Sequence, residues 1–225
     1  MEKLNNSYAI AGIILLVAIV GFVLGSKKTE APEDMPDNVY NMVSGAVADG
    51  TYIIDTEKSY LKWTGEFIGG LSETGTVKFN SGEAVAESGF FKTGEFFIDM
   101  NTMEDSAGKQ RLTDHLKSDD FFSVATYPTS TFVIKTIAPS SEQGLLEGRF
   151  VMGGDLTVKG ITQAISFITT IKPTQNGAVA TASFAINRAD WEIKYNSPSF
   201  FKNLGDKAIR DAVQIELHLE ALKQN

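Results

Sequence analysis

Two histidines, His115 and His218, are the only imidazoles in the 225-residue chain, and cysteine is absent. Without a thiol there can be no disulfide, thiolate metal site, cysteine nucleophile or acylated lipoprotein cysteine. The histidines fall on separate elements, and neither a His-x-His nor a His-Glu-x-x-His spacing occurs, so no metal site is expected. Arg111 and Asp114 stand close to His115. Arg111 and His115 either meet a charged headgroup at the edge of a binding site or belong to a solvated helix face. A hydrolase built on His115 would need a marked nucleophile, and no Gly-x-Ser-x-Gly elbow is present. Gly69-Gly70 and Gly153-Gly154-Asp155 lack the Gly-Lys-Ser/Thr continuation of a phosphate loop. Arg188, Asp190 and Trp191 either pin a loop over a cavity or form a structural ion pair beside a buried indole. No catalytic centre and no cofactor are expected.

The remaining candidates are apolar. Fifteen phenylalanines are present, and many recur at every second residue. Val213, Ile215, Leu217 and Leu219 alternate with Gln214, Glu216, His218 and Glu220, which puts apolar and polar side chains on opposite faces of a strand. The same period places Leu61, Trp63 and Phe67 on one face, then Val77 and Phe79, then Phe96, Ile98 and Met100. Phe132 and Ile134, Leu156 and Val158, Ile165 and Phe167, and Phe184 and Ile186 follow. About eight strands result, broken at Gly69-Gly70, Asn80-Ser81-Gly82 and Asn176-Gly177. Their spacing suits an all-β, eight-stranded antiparallel barrel, whose closure removes exposed edges.

A barrel of eight strands is either filled by its own side chains or just wide enough for one small ligand. In the second case Trp63, Phe67, Phe79, Phe96, Ile98, Met100, Phe132, Ile134, Phe167 and Phe184 would line the site. Such a lining suits a long apolar tail, because each buried CH₂ contributes about 0.8 kcal/mol and needs no polar partner. Met100, Met103 and Met152 are either adaptable gap-fillers or ordinary core. One helix interrupts the strands: Leu112 and Leu116, four apart within Ser106–Asp120, mark its buried face, with Phe121 and Phe122 packing behind it.

The front end differs. Tyr8 to Gly25 is uncharged for 18 residues, about 27 Å of helix against a hydrocarbon core of about 30 Å. Residues 1–28 are read as an anchor or signal segment, with the anchor favoured because Lys27-Lys28 follows a poor cleavage site. Residues 29–50, with Pro32, Pro36 and several acids, have the composition of a flexible linker. The domain is placed at 51–225, outside the cytoplasm. The net charge is −8, from 28 acidic and 20 basic residues with no basic stripe, which excludes nucleic acid as a partner.

The runs Ile98–Asp105 (IDMNTMED), Arg111–Phe122 (RLTDHLKSDDFF), Tyr127–Phe132 (YPTSTF), Gly154–Thr162 (GDLTVKGIT) and Phe184–Trp191 (FAINRADW) resemble the YceI family, in order, across Thr51–Ala221. The resemblance implies a lipocalin-like barrel in the periplasm, holding a polyisoprenoid or similar long-chain amphiphile. Many relatives are released by signal cleavage, whereas the long uncharged stretch here points to tethering at the inner membrane. The expectation is a lipid carrier or sequestering protein, with a packed-core scaffold as the alternative. A homodimer is left open.

Overall fold

The computed structural model describes residues 46–141, 144 and 147–224. The expected membrane segment, Tyr8–Gly25, and most of the linker lie outside them. Among the described residues no helix is long and apolar enough to cross a membrane.

Nine antiparallel strands form one sheet: β1 Gly50–Ile54, β2 Tyr60–Glu66, β3 Ser72–Glu87, β4 Phe90–Asp105, β5 Thr129–Pro139, β6 Arg149–Val158, β7 Ile161–Thr174, β8 Gly177–Asn187 and β9 Ala212–Lys223. Successive strands neighbour one another from β3 to β9, and the ring is closed through β1 and β2. Those two occupy one position between the same neighbours. Ile53 lies opposite Glu83 and Leu222, and Lys62 lies opposite Thr76 and Glu216. The barrel therefore has eight staves, the first of them broken.

Asp55 and Ser59 explain the break. The Asp55 carboxylate accepts from the Glu57 and Lys58 amides at 3.1 and 3.3 Å, an Asx turn that diverts the backbone. Ser59 then accepts from the Glu220 amide at 3.0 Å and donates to its carbonyl at 3.2 Å, returning the chain to the sheet. With only five residues in β1, alternation is too short to announce a strand. Its approach, residues 46–49, also belongs to the folded unit and not to a linker: Val47 is 4% exposed, and its amide bonds to the Gly89 carbonyl at 2.9 Å.

The staves run between two unlike ends. At one end lie the tight turns at Ser88-Gly89 and Gln175-Asn176 and the connection 140–148, and Val47, Tyr52, Ala86, Phe91, Phe150 and Ala178 are buried there. At the other end lie residues 67–71, the segment with helix α1 (Gln110–Lys117), and the strap 188–211, which has two 3-10 turns. The Lys159-Gly160 turn, with both φ positive at 51° and 71°, matches the twist of a two-residue hairpin. Helix α1 is shorter than the expected span, because Asp105 already takes the Lys109 amide at 2.8 Å and backbone turns begin again at Ser118.

Candidate functional site

The inward faces of the staves do not meet. They enclose an apolar hollow of about 250 Å³ that runs between the two ends of the barrel. For scale, an engineered apolar cavity of about 150 Å³ stays dry and takes up benzene. The hollow is asymmetric. Inward side chains of β3 to β6, such as Val77, Phe79, Ile98, Met152 and Leu156, are buried, whereas those of β2 and of the loop-side halves of β8 and β9 keep accessible surface although they point inside. Leu61, Trp63, Ala182, Phe184, Val213, Ile215 and Leu217 are of this second kind. The open space lies against their wall.

Trp63, Phe67, Phe79, Phe96, Ile98, Met100, Phe132, Ile134, Phe167 and Phe184 all line the hollow. Alternation put them on one face, and closure of the ring turned that face inward. Phe132, Phe167 and Phe184 form a row of rings, with centroids 5.7 Å and then 4.2 Å apart. Tyr52 and Phe91, edge to face at 5.0 Å, make the floor at the turn end. Leu112 and Leu116 of α1, with Phe121 and Phe122, line the opposite end, as the helical spacing suggested. Met100, Met103 and Met152 also border the space, where unbranched side chains can re-pack around a guest.

Arg111 and His115 stand elsewhere. Arg111 is exposed, and neither borders the hollow. His115 Nε2 lies 2.9 Å from Asp120 Oδ2, and the imidazole edge meets Phe121 and Tyr195 at 5.1 and 4.6 Å between centroids. The nearby Ser118 hydroxyl donates to the His115 carbonyl at 2.7 Å. That arrangement supplies no activated nucleophile. Among the described residues no cluster of His, Asp or Glu could hold a metal ion.

Arg188 is the charged group that sequence reasoning placed near the bore with the wrong partner. Its guanidinium donates to the carbonyls of Ile193, Tyr195, Ile209 and Arg210 at 2.9–3.3 Å. Asp211 faces it, while Asp190 instead accepts from Asn187 Nδ2 at 3.1 Å. Within a single tight turn, side chains two apart diverge, so Arg188 and Asp190 cannot pair. Burial pushes the guanidinium below its ordinary range, opposed by the Asp211 charge, but an arginine stays protonated. Trp191 is pinned by its N–H to the Leu156 carbonyl at 3.2 Å. Arg188 and Trp191 thus fasten the strap over the loop end. Glu73, also on the lining, pairs with Lys109 at 2.8 Å, and that hydrogen bond holds the lysine pKa up.

Alternation could also have found Ser130, which shares the face of Phe132 and Ile134, and Thr169, which shares that of Phe167; both line the hollow. Arg188 carried no periodic signal of its own, because its role is set by carbonyls from the strap.

The architecture defines a class: a closed up-and-down β-barrel with an apolar interior. The family follows from the sequence. The model of the YceI-like domain matches residues 52–221, and the chain belongs to that family. A UPF0312 protein of Shewanella denitrificans is 24% identical over 123 residues, 54% of this chain and 62% of the relative. The chain thus spans about three-fifths of that relative's length. Among solved structures, Burkholderia cenocepacia BcnA superposes with a TM-score of 0.61 at 22% identity, covering 74% of this chain and 98% of its own. A polyisoprenoid binding domain from Saccharophagus degradans, implicated in plant cell wall breakdown, gives 0.56 at 14% identity, covering 79% and 100%. A Campylobacter jejuni YCEI protein gives 0.50 at 21% identity, covering 65% and 84%. These likenesses establish a shared barrel.

Proposed function

We propose that this domain binds a long-chain amphiphile, of isoprenoid or fatty type, inside the barrel, and sequesters or carries it unaltered at the outer face of the membrane to which its N-terminal segment tethers it. The observation that carries the reading is the hollow, which is lined almost entirely by carbon and bordered on one side by inward residues that keep part of their surface accessible. Apolar surface of that kind gains from being filled, by roughly 25 cal/mol per Å² removed from water. The polyisoprenoid binding domain from Saccharophagus degradans shares the barrel and supports the ligand class. No chemistry on the ligand is proposed, since His115 is turned to Asp120 and away from the bore.

The test is native mass spectrometry of the full-length chain in mild detergent, followed by solvent extraction of whatever it carries. A stoichiometric long-chain amphiphile, or uptake of added geranylgeraniol by the stripped chain, is expected. A chain that arrives empty and takes up no added amphiphile overturns the reading and leaves a scaffold.

A further inference from the structure

Eleven large apolar side chains stand in water among the described residues, and six of them lie at the loop end of the barrel. Four of the six share two neighbouring tips. Ile68 and Leu71, 46% and 73% exposed, are on the 67–71 loop, and Phe200 and Phe201, 43% and 50% exposed, are on the strap. Backbone bonds join the tips. The Ile68 amide donates to the Ala208 carbonyl at 2.8 Å, the Ile209 amide to that of Asn196 at 2.9 Å, and the Phe200 and Phe201 amides to that of Ser197 at 3.2 and 3.0 Å. Phe67 and Ile209, one residue further in, line the hollow, so the patch lies just outside the loop-end wall of the bore. Apolar surface gathered on one face marks a contact site.

Charge follows the same division. The loop-end connections 67–71, 106–128, 159–160 and 188–211 hold nine basic and seven acidic residues, whereas the rest of the chain holds eleven and twenty-one. On the strap, Lys194 pairs with Glu192 and Arg210 with Glu66. Lys202 and Lys207, exposed beside the tips, form no ion pair among the described residues, and the nearest opposing charge is Asp206, next to Gly69. We propose that this face docks on a bilayer surface rich in anionic phospholipid, with Ile68, Leu71, Phe200 and Phe201 inserted among the headgroups and Lys202 and Lys207 on the phosphates. A protein partner would need matching relief over about 800 Å². Apolar side chains standing on narrow tips, with cations at their base, instead suit a deformable, negatively charged interface.

The inference goes beyond the proposed ligand, since it concerns the outside of the barrel. The N-terminal segment proposed as a tether enters at the opposite end, where the Val47 amide meets the Gly89 carbonyl. Sixteen residues in β3, tilted as barrel strands are, give a height of about 40 Å. The roughly 20 residues between Gly25 and Ala46 can extend to about 70 Å, enough for the loop end to meet the bilayer that holds the tether.

The experiment uses the full-length chain, exchanged from detergent into phosphatidylcholine vesicles with or without about one-third phosphatidylglycerol. Because the chain has no cysteine, Leu71→Cys, Phe201→Cys and Gln175→Cys each accept one environment-sensitive dye. In the anionic vesicles the dyes at 71 and 201 should move to shorter emission wavelength and be quenched at least about twofold by brominated lipid. The dye at 175, at the opposite end, should stay in water. Lys202→Gln combined with Lys207→Gln should lower the docked fraction about tenfold. Dyes at 71 and 201 that stay in water overturn the inference, as does a dye at 175 that enters the bilayer equally. Equal insertion into neutral vesicles, indifferent to the two lysines, overturns the anionic partner. A shift that tracks the number of chains per vesicle and not the lipid identifies a second copy of this chain as the occupant and overturns membrane docking. None of these readouts requires a filled bore, so failure of docking leaves the lipid-binding reading untouched, and an empty bore leaves docking untouched.

Discussion

Arg188 and Asp211 face each other at 3.4 Å beneath the strap, with side chains 4% and 13% exposed, yet Asp211 Oδ1 makes no aligned hydrogen bond. The four carbonyls that Arg188 serves therefore hold the strap more than the carboxylate does. Arg188→Ala strands those acceptors and a mostly buried anion, and is expected to cost about 3–5 kcal/mol in urea unfolding. Asp211→Asn leaves the carbonyl contacts in place and should cost about 1 kcal/mol. Equal losses in the two variants would show that the ion pair is the stronger fastening.

Ile98 faces the hollow between Phe79 and Ser130, its partners across β3 and β5. Ile98→Trp sends a larger ring from the buried wall toward the open side of the hollow, so the usual overpacking penalty of about 1–3 kcal/mol should be softened to about 1 kcal/mol or less. Lipid content, read by solvent extraction and mass spectrometry, should fall by at least about threefold, because the ring takes the volume the tail would use. A full overpacking penalty with unchanged lipid content would place the ligand elsewhere.

What could be read beforehand divides along physical lines. Most of β2 to β9 is legible because one face meets the interior and the other meets water, and period two records that directly, as at Phe96-Ile98-Met100. The expected break at Asn80-Ser81-Gly82 is only a register shift within β3, which continues to Glu87. Alternation could not say whether the rings meet in the middle, because Phe167 and Phe184 look alike in a filled barrel and a hollow one. β1 was missed because the Asp55 turn leaves it only five residues. The Arg188 fastening was half seen. The Arg and Trp stand out in the sequence, but the acceptors come from Ile193, Tyr195, Ile209 and Arg210, irregular backbone with no pattern to read.

Gly75 is required by contact. A Cβ there would lie 2.4 Å from the Trp63 ring and clash still more severely with the Glu104 carbonyl. Backbone on one side and a wall indole on the other leave nothing free to yield. Gly75→Ala should destabilise by about 3 kcal/mol or more and displace Trp63. Gly94→Ala, whose nearest contacts would be 3.0–3.1 Å, should cost only about 1 kcal/mol. Urea midpoints of the two variants make the comparison, and similar losses would mean that the β3–β4 pair relaxes around Gly75.

Tyr52, on the floor of the bore and 1% exposed, has a phenol pushed above its ordinary pKa, first by burial and then by the nearby Asp49 charge. The folded state therefore keeps the phenolic proton to higher pH than the unfolded chain does. The stabilisation is complete below the unfolded value of about 10 and is lost as pH rises from there through the folded value, since the native state binds more protons across that window. Lys58 and Lys109, whose pKa values are raised by hydrogen bonds to Asp55 and Glu73, lose stabilisation in the same direction at high pH. The contribution of Tyr52 is thus the difference between wild type and Tyr52→Phe. That variant keeps the ring against Phe91 but gives up the bond to Ala48, so it should be about 1 kcal/mol less stable near neutrality. Its urea stability should then decline less steeply than that of the wild type above about pH 10. Parallel curves for the two proteins would show that the Tyr52 hydroxyl ionises as freely in the barrel as in the unfolded chain.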